Sequence, residues 1–371
     1  MKAIEAIKRQ IEHQGGIPFV EFMRHALYDP AYGYYSSSMP KFGKQGDFIT
    51  APELTPLFGK ALANQCRELF AKLPSPCLFE FGAGSGRLCV DILTHLEQLD
   101  CLPKEYLILE VSADLQARQK LLIDSEIPHL AKRVKWLNCW PEKPFSGVMI
   151  ANEVLDAMPV HRFLQSGDGI LESYIELDDK KNLIEVFKPC QNQLLLAHVQ
   201  NCLPSNLYPY QSEANLLIDG WIKACAERLA QGAILLIDYG FPRHEYYHPE
   251  RNTGTIMCHY RQKAHGDFLA HPGEQDITAH VDFTHVAEAA HDAGFHVAGF
   301  ASQASFLLSN GILELLATVA NDRERVKEQQ AVKQLLQAHE MGELFKVMAL
   351  TRNLSELTLA GFQLQDRRAS L

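Results

Sequence analysis

The sequence predicts a doubly wound α/β fold: a mostly parallel sheet covered by helices on both faces, carrying inserted, mainly helical segments. Three observations lead to it. Short apolar runs at 77–81, 106–109, 134–137, 147–151 and 233–237 alternate with helical periodicity at 88–96 and 113–125. Strands buried on both faces read as such uninterrupted apolar runs, and the intervening helices make the sheet parallel. A glycine-rich turn, Gly82-Ala83-Gly84-Ser85-Gly86, follows the first run and opens a helix. The chain also has 371 residues, 47% hydrophobic and 22% charged, so it can bury a full core without disulfide or metal staples.

The remaining elements follow in chain order. An amphipathic helix begins near the amino terminus and stops at Gly15-Gly16, and Pro18 opens a second segment. Residues 29–56 carry repeated Gly and Pro with many aromatics, which predicts a long ordered loop; helical periodicity returns over 57–73. After the fourth apolar run comes an interruption. There, 170–177 and 182–188, joined by Asp178-Asp179-Lys180-Lys181, predict a hairpin, and 216–229 a helix. The last antiparallel strands are expected at 296–301 and 357–364, with a helical block over 311–349. The expected organisation is a helical and loop segment at 1–75, two halves of an α/β domain at 76–160 and 231–304, an inserted hairpin and helix at 161–230, and a helical block with final strand at 305–371.

The net charge of -10 argues against a nucleic-acid groove, which needs concentrated Lys and Arg. The nine cysteines, at 66, 77, 89, 101, 139, 190, 202, 225 and 258, form no CxxC pair. Scattered and odd in number, they read as reduced thiols. No apolar run reaches the length of a membrane span, and the acids of the first helix argue against a transit peptide. The expectation is a cytoplasmic enzyme-sized protein. His259, His265 and His271 suit no familiar metal spacing, and His280, Asp276 and Asp282 read as local contacts, so no metal is expected.

Three motifs carry the chemistry. Gly82, Gly84 and Gly86 leave the backbone N–H groups at a helix start bare for a ligand. A dinucleotide fingerprint would have a small residue at its sixth place, where this chain has Arg87, and Glu80 just before the turn would repel a pyrophosphate. An acid there suits the cationic end of S-adenosylmethionine, which weighs against a nicotinamide oxidoreductase. Glu110, closing the second run, is placed to accept both ribose hydroxyls. Asn152-Glu153-Val154-Leu155-Asp156-Ala157-Met158-Pro159 follows the fourth run, at the sheet edge where ligands bind. Asn152, Glu153 and Asp156 can orient a nitrogen nucleophile there; a helix capped by Asn152, with Asp156 facing water, is the plainer alternative. Cys139-Trp140 after the third run can flank an adenine, or the indole can belong to the core.

With these in place the chain resembles the MidA-type family of class I methyltransferases, a Rossmann-like fold. That family includes mitochondrial protein arginine methyltransferases that assist assembly of respiratory complex I. The resemblance rests on Asp29-Pro30, Gly33-Tyr34-Tyr35, Gly46-Asp47-Phe48-Ile49-Thr50-Ala51-Pro52-Glu53, the glycine turn and Glu110-Val111-Ser112. It continues through the Asn152–Pro159 segment, Asp238-Tyr239-Gly240, Gly254-Thr255, Asp276-Ile277-Thr278-Ala279-His280-Val281-Asp282-Phe283 and the stretch 340–348. It implies S-adenosylmethionine as donor, bound by Glu80, Gly82, Gly84, Gly86 and Glu110. It also implies a protein arginine as acceptor, with Gly46, Asp47 and Thr50 on a loop closing over both. The extra segments at 1–75, 160–230 and 305–350 are then expected to face the substrate. A non-enzymatic assembly factor that keeps the fold is the second reading; intact acids at all three motifs favour the enzyme.

Overall fold

The computed structural model describes residues 3–36, 50–354 and 357–371. The chain forms two compact units: Ile49–Val154 with Gly220–Gly240 and Thr284–Leu371, and Met1–Phe48 with Leu155–Asp219 and Phe241–Phe283. The first holds the large sheet. Along its main path the strands are β1 (Cys77–Phe81), β2 (Tyr106–Leu109), β3 (Val134–Leu137), β4 (Phe145–Asn152), β5 (Leu229–Phe241), β6 (His296–Ser302) and β7 (Phe345–Arg352). They run in the order β6-β7-β5-β4-β1-β2-β3. The pairs from β5 to β3 are parallel, and β7 lies antiparallel between β5 and β6. All five apolar runs are therefore strands. Strand order reverses beside β1, whose neighbours are β4 and β2, and a crevice opens at such a point beyond the strands' carboxyl ends.

The helices α1 (Pro56–Phe70), α2 (Arg87–Gln98) and α3 (Ala113–Glu126) complete this part of the unit. Pro56 begins α1 and Thr55 caps it, its Oγ1 accepting from Leu57 N–H at 3.1 Å. Leu62, Leu69, Leu93, Leu96, Ile108 and Ile150 are fully buried in the same apolar cluster. Gly59 lets α1 approach α2 closely, since a Cβ there would lie 2.7 Å from Asp91 Cβ. By packing, α1 belongs to the sheet unit.

The carboxyl-terminal region departs from expectation. Helices form at Ile312–Ala317 and Asp322–Leu336, but 345–349, read as helix, belong to β7. The expected strand at 357–364 contains instead a 3-10 turn at Ala360–Phe362. The cause is burial on both faces: Phe345 to Thr351 are all buried, so the run has no period by which strand and helix differ. Asn321, accepting from the N–H groups of Arg323 and Glu324 with its side chain, starts the second helix afresh.

The second unit contains a five-stranded antiparallel sheet, including His161–Ser166, Gly169–Leu177, Leu183–Pro189 and Tyr210–Ala214, and a three-stranded one. The expected hairpin is present, its turn held by Asp178 Oδ1, which accepts from Lys180 and Asn182 N–H at 2.8 and 2.7 Å. The first helix, Ala3–Gln14, does end before Gly15. Of the loop expected at 29–56, residues 37–49 lie outside the described residues; Tyr34–Ser36 forms a 3-10 turn and Ala51–Leu54 a short helix.

Candidate active site

Sheet register brings the motif residues of the first unit to one edge. Phe81 pairs with Leu109 and Ala151, and Asn152 with Ile237. The glycine turn, Glu110, Asn152 and Asp238 thus all lie at or just beyond the carboxyl ends of adjacent strands. Gly82, Gly84 and Gly86 have φ of +57°, +53° and +88°, backbone that side chains disfavour, and a Cβ on Gly82 would meet nothing within 4 Å. Ser85 Oγ donates to Glu53 Oε1, tying the turn to the helix that follows Thr50. Thr50 is buried and makes no side-chain cap; Gly46 and Asp47 lie outside the described residues.

Glu80 is 3% exposed and accepts from Tyr106 Oη at 2.8 Å. Burial pushes its carboxyl up to about 7; the Tyr106 hydrogen bond opposes this and the charge of Glu110 adds to it. Burial also raises the Tyr106 phenol well above its ordinary value, so it stays a neutral donor. Glu110, also buried, takes Ser112 N–H on Oε1 at 2.9 Å and Gln119 Nε2 on Oε2 at 3.3 Å.

At the end of β4, Asn152 Nδ2 donates to Glu153 Oε1 at 3.1 Å, while Asn152 Oδ1 is buried with no hydrogen-bond partner among the described residues. Glu153 has φ of +54°, and its N–H donates to Ile237 O at 2.9 Å. No helix begins there, so the capping alternative for Asn152 is not what forms. Asp238 on β5 holds the turn, Oδ2 accepting from Val154 N–H at 3.2 Å and Oδ1 from Tyr239 N–H at 2.9 Å. It pairs in register with Lys346 on β7, and both are buried. Asp238 was visible in the sequence only as part of a motif; its job depends on a strand neighbour that no local pattern reveals.

Asp156 falls in the other unit. It is 4% exposed, contrary to the water-facing alternative, and its carbonyl accepts from Ala279 N–H at 3.0 Å. In that unit Tyr35 Oη donates to Asp276 Oδ1 at 3.0 Å, and burial together with Asp276 and Asp156 keeps the phenols of Tyr28 and Tyr35 far above their usual range. Trp140 stacks on Phe79 with centroids 5.9 Å apart and meets Phe81 edge-on at 5.4 Å, on the face of β1 opposite Glu80. Its neighbour Cys139 is exposed. Gln119 was not among the residues expected here. Its signal is a polar residue midway between Leu115 and Ile123 on the buried stripe of α3.

Comparison with known proteins decides the family. Residues 61–301, more than half the chain, match the family described as "Putative S-adenosyl-L-methionine-dependent methyltransferase". The chain belongs to this family. A COG1565 superfamily member from Burkholderia thailandensis, in a crystal structure bound to S-adenosyl-homocysteine, is 39% identical, with a TM-score of 0.94 over 100% of this chain and 96% of that one. "Protein arginine methyltransferase NDUFAF7, mitochondrial" from Homo sapiens is 29% identical over 92% of this chain and 81% of its own length. Its Drosophila melanogaster homologue is 28% identical over 96% and 87%.

This S-adenosylmethionine-dependent methyltransferase has a strand order, with an antiparallel β7 between β5 and β6, that fits the class I fold. Its residues fit the donor too. The bare turn has open space at Gly82, and two buried carboxylates stand at neighbouring strand ends, suited to a cationic nucleoside and unsuited to a pyrophosphate.

Proposed function

We propose that this methyltransferase modifies the guanidinium of a protein arginine. The support is the arginine methyltransferase naming of relatives matched over nearly the whole chain, together with carboxylate and carboxamide groups directly after β4. In this reading Glu80, Gly82, Gly84, Gly86 and Glu110 hold the donor, and Asn152, Glu153 and Asp156 handle the acceptor. Thr50 stays in the proposal beside them, and Gly46 and Asp47, which lie outside the described residues, are carried with it. Cys139 and Trp140 stay in it as residues that flank the adenine, the indole stacked by one face on Phe79.

The donor supplies a methyl group already activated on a sulfonium. The chain's own residues then have to align and dehydrate, not abstract a strongly held proton. A guanidinium has a pKa of about 13.8 and stays charged. Glu153, fixed by its left-handed backbone and by Asn152, provides a carboxylate to grip one edge of it and draw charge away from the attacking nitrogen. The same carboxylate takes the proton that nitrogen sheds as the N–C bond forms and the S–C bond breaks, leaving a methylated guanidinium and S-adenosylhomocysteine. The nine free cysteines support a reducing compartment, and we place the enzyme in the cytoplasm.

The test is transfer of labelled methyl from S-adenosylmethionine to proteins of the source cell, with the modified residue found by mass spectrometry. Label on arginine, lost by at least about a hundredfold in Glu153→Gln while donor binding persists, is expected. Label only on another residue type removes the arginine reading. Full activity in Glu153→Gln removes that residue from the chemistry.

A further inference from the structure

Helix α3 sends one fully buried amide into the middle of the donor site. Gln119 is 0% exposed, and its Nε2 reaches two acceptors: Gly84 O at 3.0 Å and Glu110 Oε2 at 3.3 Å. Its Oε1 accepts from Trp136 Nε1 on β3 at 2.8 Å. Which way an amide points is ordinarily an assignment, but here chemistry fixes it. The indole N–H can only donate, so the oxygen must face Trp136, and a carbonyl and a carboxylate can only accept, so the NH2 must face them. All three Gln119 contacts are satisfied in one orientation and none in the other.

The consequence is mechanical. The glycine turn follows β1 and Glu110 follows β2, two separate connections with their own freedom. The two N–H bonds of one NH2 group span them. A Cβ on Gly86 would stand 3.3 Å from Gln119, so the turn also packs directly on this side chain. With Ser112 N–H on the other oxygen, Glu110 is gripped at both oxygens. The plane of its carboxylate is then fixed by these two contacts before any ligand arrives. One helical turn earlier, Gln116 Nε2 donates to Glu110 O at 2.5 Å and Asn138 Oδ1 at 2.7 Å, steadying the same residue's backbone.

We propose that Gln119, oriented by Trp136, is a positioning residue that sets the ribose-reading carboxylate of Glu110 against the glycine turn. This rests on the reading of Glu110 as the acceptor of the ribose hydroxyls. Gln119 touches neither donor nor acceptor; it acts through Glu110 and Gly84. Its removal should therefore blunt selectivity for the ribose hydroxyls more than it weakens nucleoside binding in general.

The experiment is calorimetry with S-adenosylhomocysteine and its 2′-deoxy counterpart on the full-length protein. Wild type should prefer the ribose form by about tenfold, the size of one hydrogen bond to a charged group. Glu110→Ala should abolish that preference. In Gln119→Leu the ribose form should weaken by about tenfold and the deoxy form by much less, closing the gap to within about threefold. Trp136→Phe keeps an aromatic side chain on β3 but removes the indole N–H together with part of the ring, and should narrow the gap in the same direction; it carries the test if Gln119→Leu fails to fold. If both variants weaken the two nucleosides equally and leave the gap intact, Gln119 is merely structural and the proposal falls. If the gap survives Glu110→Ala, the reading of Glu110 fails, and this proposal fails with it.

Discussion

Donor binding should be switched by the protonation of Glu80. The perturbation is pH, with Glu80→Gln as the control. In the donor-free protein, burial holds this carboxyl at about 7, against an ordinary 4.5. A cation bound beside it favours the ionised form, so binding requires the proton to leave. With a pKa near 7 the ionised fraction falls from about nine-tenths at pH 8 to about one-tenth at pH 6, so donor affinity should drop about tenfold between those values. Near pH 7, binding should release about half a proton, seen as a dependence of the calorimetric enthalpy on the buffer's ionisation heat. Titrating groups on the donor contribute equally in Glu80→Gln, so the difference between the two proteins isolates Glu80. The sign for stability is opposite. Because the folded pKa lies above the unfolded one, the native state holds the extra proton between roughly pH 4.5 and 7, and donor-free stability falls as pH rises through that window, by about 3 kcal/mol in total. Glu80→Gln should therefore melt later than wild type at pH 8 while binding donor worse. A wild-type affinity unchanged from pH 8 to pH 6, relative to Glu80→Gln, would refute the electrostatic account of the site.

Two further outcomes are expected. Gly84→Val places a branched side chain where φ is +53°, and calorimetry should show donor binding lost; unchanged affinity would displace the glycine turn from the donor site. Gly147→Ala puts a Cβ 2.0 Å from the Cys77 carbonyl oxygen between β4 and β1, and should cost about 3 kcal/mol or prevent folding. An unaltered melting temperature there would mean that the register of β4 on β1 is misassigned.

Much of this protein was legible in its sequence because the deciding signals are local. Each parallel strand is an apolar run between helices, each glycine of the turn is demanded by backbone with positive φ, and Glu80 and Glu110 sit at fixed offsets from strands whose ends the sequence marks. β7 was hidden for a physical reason: a strand buried on both faces has no polar side to give it a period, and 345–349 read as the tail of a helix. Asp238, Tyr106 and Gln119 were hidden for another. Their roles lie in hydrogen bonds to Val154, Glu80 and Glu110, and those pairings exist only once strands are in register and α3 is docked. Sequence alone therefore determined the fold class, the turn and its acids. The tertiary structure decided which neutral donors hold those acids in place, because hydrogen-bond geometry is set by packing between distant segments and leaves no pattern along the chain.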